Sequence, residues 1–153
     1  MKFEINSIAD TQAILVQGRL CEKAEKELPL VAQAVIAPKV IFHCEGITSI
    51  NSYGAALWIK FIKSLPAKAI LYVRCSEEFT SYAAMLPSFY RPGRVLSFFT
   101  AYFCPQCDTS SSTLIDLGSS EGQPDLAAHC TKCNALMRCE EDLEDLLKKF
   151  KNP

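Results

Sequence analysis

Two Cys-x-x-Cys pairs in the last third of the chain are the residues best suited to chemistry. They read CPQC and CTKC and supply Cys104, Cys107, Cys130 and Cys133, with 22 residues between the pairs. Each pair can form a tight turn that directs two sulfurs at one ion, and four thiolates are the usual tetrahedral shell of structural Zn²⁺. The separation is slightly longer than the usual range of about 15–20 residues, and a long hairpin would accommodate the excess. The sequence predicts one Zn²⁺ ion held by these four cysteines.

Other interpretations of these cysteines remain open. The four thiols pack or react with one another, or they hold iron in a rubredoxin-like site, which uses the same tetrahedral sulfur ligands. His129 and Cys139 lie near the second pair, and Cys139 is the preferred substitute ligand if one pair is incomplete. If all four sulfurs bind one ion, no position is left for water, so catalysis by the metal is not expected.

Composition and charge narrow the class of protein. Hydrophobic residues make up 49% of the 153 residues and charged residues 22%, which is typical of a globular fold. The chain shows no basic segment followed by an apolar one at its start and no run of about 18 apolar residues, so we expect a cytoplasmic protein without a membrane span. Residues 1–103 have a net charge of +3 and residues 104–153 a net charge of −4. An acidic metal-binding part disfavours nucleic acid as a partner, because binding depends on neutralising phosphates.

The first part of the chain, residues 1–100, alternates strand and helix signals. The predicted order is strand, strand, helix, strand, helix, strand, helix, strand, which implies crossovers and a sheet that is at least partly parallel and covered by helices. The predicted segments are KFEINSIAD, TQAILVQGRL, CEKAEKELPLVAQAVIA, KVIFHC, NSYGAALWIKFIKSL, AKAILYVRC, SEEFTSYAAMLPSFY and RVLSFFTAYF. We expect KVIFHC to end in a turn at Glu45–Gly46, and the third helix to begin at Ser76 and break at Pro87.

The second part, residues 101–153, combines the cysteine pairs with a terminal helix. The polar stretches DTSSST and GSSEGQPD are predicted to be loops. The helix has acids at its start and lysines at its end, the order that the helix dipole favours. Its apolar stripe packs on the metal-binding part, on the sheet or on a second subunit, so a homodimer is left open. The stripe consists of Leu143, Leu146, Leu147 and Phe150.

A loop before the second helix has polar residues that allow three roles. It reads Asn51-Ser52-Tyr53-Gly54. Asn51 or Ser52 caps the helix by accepting a hydrogen bond from an N–H of its first turn, and Gly54 permits close approach to the sheet. Alternatively, Ser52 accepts a phosphate, or Tyr53 is an exposed anchor for a partner protein.

Residues 1–100 resemble a STAS domain, and residues 98–139 resemble the zinc-ribbon family. The order of elements matches that of STAS domains, and so does the stretch VIFHCEGITSINSYGAALWIKFIKSL. In that family an apolar strand ends in a short loop, followed by Asp, two residues that are often hydroxylic, and a Gly that opens an amphipathic helix. Here Asn51 replaces the acid and Tyr53 occupies one hydroxyl position, so only Ser52 remains as an ordinary phosphoacceptor.

The STAS resemblance implies a protein-interaction module, as in anti-sigma-factor antagonists, stress-signalling scaffolds and the STAS partners of transporter ATPases. In its signalling members a partner kinase phosphorylates a Ser or Thr of the loop, and the added charge breaks the interface. We therefore expect a non-enzymatic protein of bacterial-type signalling or scaffolding that has a structural zinc site and binds a regulator, a kinase or an ATPase. The alternative is a nucleic-acid-associated zinc-ribbon protein.

An enzyme is not expected, because no acid, base and nucleophile can be brought together from the sequence. His43 and Cys44 are neighbours on an apolar strand, but neighbours on a strand point to opposite faces. The loop EGITSINSYG lacks the G-K-[ST] ending of a phosphate-binding loop.

Overall fold

The computed structural model describes residues 1–118 and 126–151. In these ranges no helix is long and apolar enough to cross a membrane. Short 3₁₀ turns occur at Glu22–Glu25 and Pro87–Phe89. The strands and helices are β1 (Lys2–Ile8), β2 (Thr11–Leu20), α1 (Glu27–Ala34), β3 (Lys39–Ile50), α2 (Ser52–Ser64), β4 (Ala69–Val73), α3 (Glu77–Met85), β5 (Arg94–Val95), β6 (Ser97–Cys104), β7 (Thr109–Asp116), β8 (Arg138–Cys139) and α4 (Leu143–Lys151).

The first sheet has the strand order β1-β2-β3-β4-β5. Strand β1 is antiparallel to β2, and strands β2 to β5 are parallel. Each parallel strand is added on the same side of the one before it, and right-handed crossovers are the rule, so α1, α2 and α3 lie on one face. The predicted fold class is confirmed: a mixed α/β sheet covered by helices, followed by a small β structure and a terminal helix.

The core between this sheet and its helices is rich in aromatic rings. The ring centroid of Phe42 lies 5.4 Å from that of Trp58 and 5.7 Å from that of Tyr72. The rings of Phe79 and Phe89 are 5.0 Å apart. Aromatic pairs of this kind contribute about 0.5–1.5 kcal/mol beyond the burial of their area. They hold α2 and α3 against strands β3 and β4.

Local sequence signals explain where the helices begin and end. Ser76 caps α3, since its Oγ accepts a hydrogen bond from the N–H of Phe79 at 3.2 Å, and the helix ends before Pro87, as predicted. The first predicted helix is shorter than expected, because a 3₁₀ turn precedes α1. Pro29 lies in the first turn of α1, where its missing N–H costs no intrahelical hydrogen bond.

Strand β3 is longer than the sequence predicts. The turn expected at Glu45–Gly46 is wrong, because β3 continues to Ile50 and pairs with the carboxyl half of β2. Strand β2 has 10 residues, so its last residues need hydrogen-bonding partners that a turn would not supply. A Cβ built on Gly46 would lie 2.7 Å from the carbonyl oxygen of Val16, so this close approach requires glycine.

The segment predicted as the last strand, RVLSFFTAYF, is divided between two sheets. It forms β5 and then β6, which lies at the centre of a second sheet of order β7-β6-β8. The loop predicted for DTSSST is wrong, because Thr109–Asp116 forms β7 and pairs along its length with β6. The other predicted loop, GSSEGQPD, falls on residues 118–125 and, except for Gly118, lies outside the described residues.

Strand β6 and helix α4 join the second sheet to the first. The N–H of Cys75 donates to the Ser97 carbonyl at 3.0 Å, and the N–H of Phe99 donates to the Cys75 carbonyl at 2.8 Å. The ring of Phe150 lies 5.6 Å from that of Tyr90 and 5.4 Å from that of Phe98. The apolar stripe of α4 therefore packs within the chain, at the junction of the two sheets.

Truncation of Phe150 tests this packing. Phe150 is 4% exposed, and Phe→Ala at a buried position costs about 3–5 kcal/mol, so Phe150→Ala should lower the free energy of unfolding in urea by at least 2 kcal/mol. Lys148→Ala is the control on the same helix, and its exposed side chain should change stability by about 0.5 kcal/mol or less. Equal urea midpoints for Phe150→Ala and the wild type would show that α4 does not stabilise the fold.

Candidate metal centre and the loop before helix α2

The sulfurs of the two Cys-x-x-Cys pairs lie together at one end of the second sheet. The Sγ of Cys107 is 3.4 Å from that of Cys104, 3.3 Å from that of Cys130 and 3.6 Å from that of Cys133. All four Sγ atoms lie within 4.8 Å of one another. Metal–sulfur bonds of about 2.3 Å place tetrahedral sulfurs about 3.8 Å apart, whereas a disulfide requires about 2.05 Å. The geometry fits four ligands of one ion and not two disulfides.

Each pair is held by the same kind of turn. The N–H of Asp108 donates to the Cys104 carbonyl at 3.0 Å, and the N–H of Asn134 donates to the Cys130 carbonyl at 2.8 Å. Asp108 and Asn134 both have positive φ, 54° and 57°, a conformation that Asp and Asn adopt more readily than other residues with a side chain. Asp108 and Asn134 each lie directly after the second cysteine of a pair. This is a sequence signal for the turn that the prediction of the metal site from cysteine spacing did not use.

Polar groups around the sulfurs favour the thiolate form at two positions. Burial acts to raise the pKa of Cys104, but the backbone N–H groups of Cys107 and Gln106 outweigh it and lower that pKa. The backbone N–H groups of Cys133 and Lys132 lower the pKa of Cys130 to about 6, and the second of them lies 3.4 Å from its Sγ. The hydroxyl of Thr109 is 3.3 Å from the Sγ of Cys107 and 3.7 Å from that of Cys130. Thiolates are the form that binds metals, so Thr109 is a supporting residue that sequence reasoning missed.

The two substitute ligands considered from the sequence lie outside the sulfur cluster. The Sγ of Cys139 is 3.4 Å from the hydroxyl of Thr100. The Nδ1 of His129 is 3.2 Å from the carbonyl oxygen of Asn134. In the described part of the chain, the four paired cysteines are the one group of His, Cys, Asp and Glu side chains that could hold a metal ion. With four sulfurs in place, the shell has no position for water.

Asn51 fixes the start of helix α2 from two directions. Its Oδ1 accepts a hydrogen bond from the N–H of Gly54 at 2.7 Å, which caps the helix, and its Nδ2 donates to Glu22 Oε2 at 3.1 Å. An aspartate could accept from the helix but could not donate to Glu22. The presence of Asn in place of the acid expected from the STAS pattern is therefore explained by Glu22.

The other loop residues differ in their surroundings. A Cβ built on Gly54 would collide with the carbonyl of Leu20, so glycine is needed where α2 meets β2. Ser52 is exposed, and Tyr53 is 49% exposed. The charge of Glu25, and then a hydrogen bond to it, raise the pKa of Tyr53. The structure thus supports the capping role for Asn51 and presents Ser52 and Tyr53 to the outside.

No family model and no curated protein matches the chain. Among solved structures, it is similar to the anti-sigma factor antagonist SpoIIAA in its unphosphorylated form. The two share 16% sequence identity with a TM-score of 0.48, over 61% of this chain and 87% of that chain. A likeness at this level assigns no functional residue to this chain.

Replacing one ligand should release the metal. We expect the purified wild type to carry one metal ion per chain, and Cys107→Ser to retain well under half of that amount after dialysis against EDTA. Cys139→Ser is the matched control, because it removes a thiol that lies outside the cluster, and it should keep the full amount. Elemental analysis by mass spectrometry measures both. If Cys107→Ser binds as much metal as the control, the four-sulfur site is wrong.

Removing the cap should weaken α2 and change the titration of Glu22. Asn51→Ala should cost about 1 kcal/mol of stability. The backbone N–H of Glu22 itself and then the Asn51 amide lower the pKa of Glu22. The stability that these hydrogen bonds give the fold is therefore fully present above the ordinary pKa of a glutamate carboxyl, and it is lost as pH falls through the lowered pKa of Glu22 in the folded state. NMR titration should therefore show a higher Glu22 pKa in Asn51→Ala. An unchanged Glu22 pKa would mean that the amide does not bind this carboxylate.

Proposed function

We propose that this chain is a non-enzymatic protein-interaction module of a bacterial-type signalling or scaffolding system, which binds a partner protein through Asn51–Gly54. The observation that carries the proposal is Tyr53, which is 49% exposed in the first turn of a helix whose start is held by Asn51. Tyr is enriched at protein interfaces, where it supplies a large contact area with few rotatable bonds. A fixed backbone lowers the entropy lost on binding.

The charges around Tyr53 suggest the chemistry of the partner surface. Glu25 and Glu22 both act on the phenol through their charges. The complementary partner surface is an apolar pocket for the ring with Lys or Arg at its border. A regulator, a kinase or an ATPase of the type bound by STAS domains would need to offer such a surface.

Ser52 allows a second mode of control by phosphorylation. It is exposed, and the helix is capped by the Asn51 side chain, so the hydroxyl is not needed for the cap. A phosphate here would add charge of about −1.5 to −2 to a surface that already carries Glu22 and Glu25. We favour constitutive binding through Tyr53, and phosphorylation of Ser52 is the alternative.

We propose that the ion of the four-cysteine site is Zn²⁺ and that its role is structural. Four sulfur ligands form a closed shell of the kind found in structural zinc sites. The ion would link the turn after β6 to residues 130–133. We assign these residues to a second domain comprising residues 101–153, which follows a STAS-like domain of residues 1–100. The two Cys-x-x-Cys pairs meet in one four-sulfur cluster that could hold a metal ion, which supports a reducing compartment such as the cytoplasm. The net charge of −4 on residues 104–153 argues against nucleic acid as the partner.

The binding role of Tyr53 can be tested by affinity purification from the cells that make the protein. The wild type should recover a specific partner, and Tyr53→Ala should recover at least tenfold less with an unchanged melting temperature. Leu136→Ala is the matched control, since Leu136 is 60% exposed on the second sheet's side of the chain and should bind normally. Full recovery by Tyr53→Ala would refute the proposal. Ser52→Asp separates the two modes, because it should bind fully if docking is constitutive and fail if phosphorylation is a switch.

A further inference from the structure

The four cysteines of the metal centre differ in their access to solvent. Cys104 is fully buried, because it ends the central strand of the second sheet, and Cys130 is only 4% exposed. Cys107 is half-buried, whereas Cys133 is exposed. The sulfur shell therefore has one member, Cys133, that a small molecule in solution reaches most easily.

The two turns that hold the sulfurs differ at one position, and the difference leaves Cys133 less covered. Thr109 lies two residues after Cys107, and its hydroxyl is 3.3 Å from the Sγ of Cys107. The equivalent residue after Cys133 is Ala135, whose methyl group offers no hydrogen bond to a sulfur. Residues 131–134 are all exposed. The second turn thus presents its second sulfur to the outside without a hydroxyl beside it.

Exposure decides which of the four sulfurs meets an oxidant first. Susceptibility of a cysteine to oxidation follows its thiolate character and its exposure. A bound metal ion holds all of its cysteine ligands as thiolates, so thiolate character does not separate the four. Access from solvent does, and it favours Cys133 over the two buried cysteines and over Cys107.

We propose that Cys133 is the site at which a peroxide oxidises this chain, an inference that rests on the metal site proposed above. The Cys133 thiolate attacks one oxygen of hydrogen peroxide, the O–O bond breaks, and hydroxide leaves a sulfenic acid on the sulfur. The Cys107 thiolate then attacks the Cys133 sulfur, the S–O bond breaks, and a second hydroxide leaves as the disulfide forms. The two thiolates give up two electrons, which reduce the peroxide, and two protons from solvent convert both hydroxides to water.

The geometry selects Cys107 as the partner in this disulfide. The Sγ of Cys133 lies 3.5 Å from that of Cys104 and 3.6 Å from that of Cys107, and either distance must shorten to about 2.05 Å. Cys104 is fixed by its place in β6, where it pairs with β7. Cys130 is fixed by hydrogen bonds of both its N–H and its carbonyl. Cys107 lies in the turn between β6 and β7, so it moves at the least cost to the sheet.

Oxidation would exchange one link between the two turns for another. A disulfide between Cys107 and Cys133 removes two of the four sulfur ligands, and two thiolates do not complete the tetrahedral shell of Zn²⁺. The ion is released, yet the disulfide still joins the turn after β6 to residues 130–133. Reduction by a dithiol restores the four thiolates, because disulfides are a reversible product of cysteine oxidation.

Peroxide treatment of the full, metal-loaded chain tests the proposal. A metal-sensitive dye follows release of the ion, and mass spectrometry after alkylation maps the thiols that remain. The first product should have lost its metal ion, contain a Cys107–Cys133 disulfide and keep Cys104 and Cys130 reduced. Cys44 and Cys75, both 0% exposed, should stay reduced as a sign that the chain is folded.

Three results would contradict the proposal in different ways. A purified chain without metal refutes the proposed metal site, and the inference with it. A metal-loaded chain whose first oxidised product does not contain Cys133 overturns the inference alone. The same conclusion follows if excess peroxide neither releases the ion nor oxidises any of the four cysteines.

A pair of threonine variants tests the effect of cover at the second turn. Ala135→Thr places a hydroxyl beside Cys133, as Thr109 does beside Cys107, and a hydrogen bond to a thiolate lowers its reactivity. This variant should release metal under peroxide at least threefold more slowly than the wild type. Leu136→Thr adds the same side chain one residue further on, at a position that is 60% exposed, and should match the wild type.

Elemental analysis shows whether both threonine variants carry the full amount of metal before oxidation. Equal release rates in two fully loaded variants would overturn the assignment of the reactive sulfur to the second turn. If Ala135→Thr fails to bind metal, the disulfide mapped in the wild type decides the question.

Discussion

The hydrogen bonds between Cys75 and strand β6 hold the α/β sheet and the metal-binding part in one arrangement. They depend on Arg74, whose φ of 50° interrupts the extended geometry at the end of β4. The N–H of Arg74 donates to the hydroxyl of Ser97 at 2.8 Å, so the irregular residue is paired with the first residue of β6. The interruption also turns Cys75 into the core, where it is fully buried. The turn therefore lets Cys75 face the core and still pair with β6.

The same strand then supplies the first cysteine of the metal centre at its other end. The segment that carries Cys130 and Cys133 is held to β6 by bonds that do not involve a metal. Tyr102 donates its hydroxyl to the Leu126 carbonyl at 2.9 Å, and the N–H of Glu140 donates to the Ala101 carbonyl at 2.9 Å. An ion at the four sulfurs would add a further link between two segments that their hydrogen bonds to β6 already hold together. Loss of the ion should therefore loosen the turns around the cysteines more than it disturbs the first sheet.

The sequence was most informative where a local pattern determines the structure. The cysteine spacing, the cap before α2 and the order of strands and helices depend on residues close together in the chain. The errors arose where distant strands decide the outcome. DTSSST reads as a polar loop, yet its residues from Thr109 onward form a strand because β6 supplies their hydrogen bonds. Strand β3 continues past Glu45 because β2 offers backbone groups that need partners. Sequence periodicity does not show which strand will be a neighbour, so the division of the last predicted strand between two sheets could not be foreseen.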